Sequence, residues 1–74
     1  MELEQVVIDE LKENYPDNLN NMRMLSDFEP TLLAALVKDF IDDNVPTLAD
    51  FDEEIDWNDI AEKLLIFDNS QIIG

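Results

Sequence analysis

The functional groups that dominate this sequence are carboxylates. Between Lys38 and Lys63 the chain reads DFIDDNVPTLADFDEEIDWNDIAE, with ten acids and no Lys, Arg or His. Acids at this density suit three kinds of work: proton transfer by a pair, cation binding by a cluster, or recognition of a positively charged partner.

The first needs two carboxyl groups at a fixed separation, in surroundings that push their pKa values apart. A chain of 74 residues has little length to spare for a pocket around one of them, and it contains no His to serve as a base. No catalytic residue is assigned, and the protein is expected not to be an enzyme. The second would take the form of a helix–loop–helix calcium loop, with oxygen ligands at positions 1, 3, 5, 7, 9 and 12 and Gly at 6. Started at Asp50, that register puts Ile55 at the turn and Ala61 at the end; started at Asp52, it puts Trp57 and Lys63 there. Neither fits. With no Cys for a thiolate site either, no metal and no cofactor is expected.

Charge recognition is left, and the sign decides its direction. Nineteen acids against four bases give a net charge of −15, well beyond the magnitude of roughly 2–8 that keeps a small domain soluble. Direct binding to DNA or RNA is disfavoured, because affinity there comes largely from cations meeting phosphates. The complementary role fits: an acidic face can occupy the basic groove of a protein that handles nucleic acid.

The residues expected to form that face are Asp39, Asp42 and Asp43, then Asp52, Glu53 and Glu54, then Asp56, Asp59 and Glu62. Asp52, Glu53, Asp56, Asp59 and Glu62 are the expected main contacts. Charge runs on a helix are most often only a solvated face. Asp42 and Asp43 argue for more, since negative charge near a helix C-terminus opposes the dipole.

These acids are expected to be carried on a helical framework. The apolar share of 46% suits a folded domain, and a single Gly with three Pro leaves few breaks. From Glu2 to Tyr15, Leu3, Val7 and Leu11 recur at four-residue steps with Val6 and Ile8 beside them, while Glu2, Asp9 and Glu13 gather opposite. Pro16 stops this helix, and Leu19, Met22 and Leu25 then suit one short helical turn.

SDFEPTLLAALVKDFIDDN predicts the central helix, with Pro30 in its first turn. Leu33, Leu36, Val37, Phe40 and Ile41 fill one face, and Leu32 and Ala34 widen it. One further turn is expected around residues 47–51. Asp56 is a good N-cap for a last helix, in which Trp57, Ile60, Ala61 and Leu64 face inward and Ile55 falls off the apolar stripe. The expectation is an all-α fold: one acidic domain over residues 1–74, a small bundle of three main helices with one or two short additional turns.

In size, charge and helix order the chain is similar to acyl carrier proteins, which carry phosphopantetheine on a Ser within an Asp-Ser-Leu triplet. Ser26 in LSDFEP and Ser70 in FDNSQ stand outside that triplet. Size and charge also resemble those of phage-encoded nucleic-acid mimics, such as anti-CRISPR and anti-restriction proteins, and of bacteriocin immunity proteins. That is a resemblance of class, without a shared motif.

The expected partner is the basic surface of a nucleic-acid-handling protein, met by a monomer or a homodimer, with no role for a membrane. The alternative is a small adaptor binding through apolar surface, for instance the tail IFDNSQIIG. The acidic start MELEQVVIDELKENY is unlike a signal peptide, and no apolar run reaches the ~20 residues of a membrane span. The expected location is the cytoplasm, that of the host if the chain is phage-encoded.

Overall fold

Each of the three prolines starts a helix. In the computed structural model, which describes residues 2–73 and the side chains of residues 2–66, α1 spans Leu3–Asn14, α2 Pro16–Leu25, α3 Pro30–Asn44, α4 Pro46–Ala49 and α5 Trp57–Ile73. Pro16, Pro30 and Pro46 open α2, α3 and α4. At that position the missing N–H has no intrahelical partner to lose. The residues before them, Tyr15, Glu29 and Val45, all leave the helical region, with ψ of 47°, 125° and 73°, as the proline ring requires. Tyr15 and Val45 are therefore one-residue corners.

The fold is all-α, with no strand among the described residues. The second segment is longer than its sequence suggests. Instead of one short turn, α2 is a helix of ten residues, because Pro16 both ends α1 and begins its successor. The turn expected around residues 47–51 is α4, at Pro46–Ala49. Phe67, Ser70, Ile72 and Ile73, weighed above as tail contacts or a modification site, lie outside the described side chains.

One core gathers the buried faces. Val7, Ile8 and Leu11 come from α1, Leu19 and Met22 from α2, and Leu33, Ala34, Val37 and Ile41 from α3. Ile60, Ala61 and Leu64 come from α5. Helix α3 is central, meeting α2, α4 and α5, and its pairing with α5 is the most extensive. Tyr15 and Phe40 close one side, edge to face with ring centroids 4.9 Å apart, a geometry the ring quadrupoles favour.

Three expectations about single side chains change. Leu32, placed on the apolar face, is exposed, as is Leu25. Leu32 falls about 100° from Leu33 around the helix, on the side away from the core. Ile55 is buried instead of stranded. It precedes the N-cap of α5, and together with Ile60 it occupies the two hydrophobic-staple positions that fix how a chain enters a helix. Its inward position comes from the turn, which a helical wheel does not represent.

The N-terminus of α5 is fixed from two sides. Asp56 Oδ1 accepts the N–H of Asp59 at 3.1 Å, as an N-cap does. The N–H of Asp56 itself donates to Glu4 Oε2 at 2.9 Å, across 52 residues of sequence. Trp57 Nε1 donates to the Asp52 carbonyl at 3.0 Å, holding the preceding turn. Asp56→Ala is expected to cost about 1 kcal/mol, read as a melting temperature lower by about 4–8 °C in a domain of this size. Asp56→Asn keeps the acceptor and is expected to melt close to the parent.

Candidate protein-binding surface

No base stands among the acids between Lys38 and Lys63, but each of the two flanking lysines reaches a pair of carboxylates. Lys38 Nζ lies 3.4 Å from Asp42 and 3.4 Å from Asp52, tying the end of α3 to the turn before α5. Lys63 Nζ lies 3.0 Å from Asp59 and 3.9 Å from Glu2, tying α5 to the start of α1. Hydrogen bonds that Lys38 donates to Asp52 and then to Asp42 raise its pKa above 10.5, and the hydrogen bond donated to Asp59 together with the Asp59 charge does the same for Lys63. A cation whose folded pKa is raised contributes its stabilisation below the unfolded value and loses it as pH rises through the folded one. Both lysines therefore keep their charge at neutral pH. Exposed pairs of this kind contribute little to stability.

The nine expected contacts thus divide. Asp42 and Asp52 meet Lys38, Asp59 meets Lys63, and Asp56 caps α5. Asp39, Asp43, Glu53, Glu54 and Glu62 are exposed; among the described residues, none of these five carboxylates takes part in a hydrogen bond or ion pair. Asp39 and Asp43 lie on the outer face of α3, Glu53 and Glu54 on the turn, and Glu62 on the outer face of α5. Each lysine sits between two carboxylates, so each cluster keeps an excess of negative charge.

Two acids outside the expected set belong to this surface: Glu2, through Lys63, and Glu4, through the Asp56 N–H. Both stand at the far end of the chain from α5. Only the packing of α1 on α5 brings them there, and nothing in the local sequence signals it.

The other two bases are elsewhere. Burial chiefly lowers the Lys12 pKa, the nearby Arg23 charge lowers it further, and Asp9 partly opposes them. Arg23 is buried in α2, with Nη1 donating to Asn20 Oδ1 at 3.0 Å. Of these two bases, Arg23 is drawn inward and Lys12 is partly covered.

Ser26 is fully buried, and its hydroxyl donates to the Arg23 carbonyl at 2.8 Å. To carry a prosthetic group it would have to leave the corner it closes. Among the described residues, no three Asp or Glu side chains converge as the ligands of a cation would, and no helix is long and apolar enough to cross a membrane.

No family model, curated protein or solved structure matches this chain.

Proposed function

We propose that this protein binds the basic surface of a nucleic-acid-handling protein and occludes it, in the manner of anti-CRISPR, anti-restriction or nuclease-immunity inhibitors. The observation that carries the reading is the group Asp39, Asp43, Glu53, Glu54 and Glu62. These are exposed carboxylates without a cation of their own among the described residues, while Lys38 and Lys63 are held by others. A stable fold gains nothing from leaving them unopposed at a net charge of −15. A partner's Arg and Lys would complete them with charge-assisted hydrogen bonds, and the long-range field would speed encounter. Inhibition is steric and electrostatic; no covalent step is involved.

The test is capture from a candidate host lysate on the immobilised protein, eluted by a salt gradient and read by mass spectrometry. The expected result is one nucleic-acid enzyme or binding protein retained to high salt, displaced by added DNA or RNA, and lost with the Asp39→Asn/Asp43→Asn/Glu62→Gln variant. A retained partner that ignores DNA, RNA and the triple substitution would sink the proposal.

A further inference from the structure

The corner between α2 and α3 exposes apolar side chains that the fold does not need. Met24, Leu25, Phe28 and Leu32 leave 50% to 75% of their surfaces in water. They fall within nine consecutive positions, at the end of α2, in the turn and in the first turn of α3. Asp27 and Phe28 both have positive φ, 54° and 58°.

The α2 C-terminus is closed in the usual double-bonded way. The Phe28 N–H reaches the Arg23 carbonyl at 3.1 Å and the Asp27 N–H reaches that of Met24 at 3.1 Å. Gly or Asn would meet such φ values with less strain. In this motif an apolar residue at the Phe28 position commonly folds back on the helix, yet Phe28 stays half exposed.

The outer face of α3 continues from this corner. Leu32, Ala35, Asp39, Asp42 and Asp43 are all exposed, at steps of 3, 7, 10 and 11 residues from Leu32 that keep them on one side of the helix. At 1.5 Å per residue, Asp39 and Asp43 lie about 10 and 16 Å beyond Leu32. The surface is therefore apolar at one end and acidic at the other.

We infer that this two-part surface docks a cationic amphipathic helix of the partner. Its apolar residues sit on Phe28 and Leu32, and its Lys or Arg, two to three turns further along, face Asp39, Asp42 and Asp43. Charge complementarity selects this occupant over a second copy of the chain. A self-contact would set Asp27 and Glu29, the exposed acids flanking Phe28, and a net charge of −15 against their like. Area agrees: four partly exposed side chains offer roughly a few hundred Å², short of the ~800 Å² per partner of a stable complex. The apolar corner alone is too small, and the acidic stripe supplies the remainder. The inference deepens the reading above and rests on its acidic face.

The probe is a synthetic 18-residue helical peptide with Leu at one end and Lys or Arg two to three turns away. A second peptide carries the same charges with Gln in place of Leu. Expected is binding about tenfold tighter for the first, with amide shifts over residues 24–32 and 39–43. Leu25→Ser/Leu32→Ser should abolish that difference and leave the Gln peptide's affinity unchanged. Both positions are exposed, so the fold is expected to survive; Phe28→Gly provides a second variant at a site where glycine relieves strain.

Equal affinities for the two peptides, or shifts confined to the acids, would overturn the docking inference while leaving the acidic-face reading intact. No salt-sensitive binding of either peptide would sink that broader reading as well. Dimerisation of the protein alone, abolished by the same substitutions, would assign the patch to a second copy and overturn the inference.

Discussion

Leu33→Ala is expected to cost about 2–5 kcal/mol, while Leu32→Ala beside it leaves stability within about 0.5 kcal/mol. Leu33 is fully buried on α3, where that helix meets its neighbours; Leu32, about 100° around the helix, is half exposed. Truncating Leu33 loses the transfer free energy of three carbons and leaves a cavity that a small core cannot fully collapse around. A domain of this length has a total stability of only about 4–11 kcal/mol, so the first change removes a large part of it. Urea unfolding followed by circular dichroism reads both, as a large fall in midpoint for Leu33→Ala and almost none for Leu32→Ala. Similar midpoints for the two variants would mean that α3 is rotated from the orientation described here.

Asp43→Lys is expected to act in the opposite direction, stabilising the fold by about 1–2 kcal/mol at low salt. Asp43 lies in the last turn of α3, which has no basic residue. There a carboxylate opposes the helix dipole and a cation would favour it, each by about 0.3–1 kcal/mol. Asp42, one position earlier, already meets Lys38, so Asp43 is where the adverse charge stands uncorrected. The melting temperature of the variant should exceed that of the parent by about 4–8 °C for each kcal/mol. The gap should narrow as salt is raised to about 1 M, where the Debye length falls to ~3 Å.

The parent should itself melt higher in moderate salt, because screening relieves its self-repulsion. The same substitution is expected to weaken binding to a basic partner. A gain in stability with unchanged binding would remove Asp43 from the interaction surface. A loss of stability would mean that the acids of α3 are compensated by a contact not described above.

The helical class, most of the core and one cap are legible in the order of residues alone. Periodicity placed Val7, Leu11, Leu33, Val37, Ile41, Ile60, Ala61 and Leu64 inside, since a helix repeats its faces every 3.6 residues whatever packs against them. Asp56 was legible as an N-cap because its bond to the Asp59 N–H is local. The net charge and the acids of the candidate surface were legible as composition.

Features that depend on where helices meet emerge only from the packing. Leu32 and Leu25 face water and Ile55 faces the core, because burial follows from the neighbours each position receives and from the path of the turns. Lys38 and Lys63 fold back among the acids, and Glu2 and Glu4 join that surface from the chain's beginning. These are contacts between residues distant in sequence, and local pattern carries no information about them. Lys38–Asp42 and Lys63–Asp59 are four residues apart on one helix and follow from local spacing, whereas the second carboxylate at each lysine is set by the packing of α1, α3 and α5.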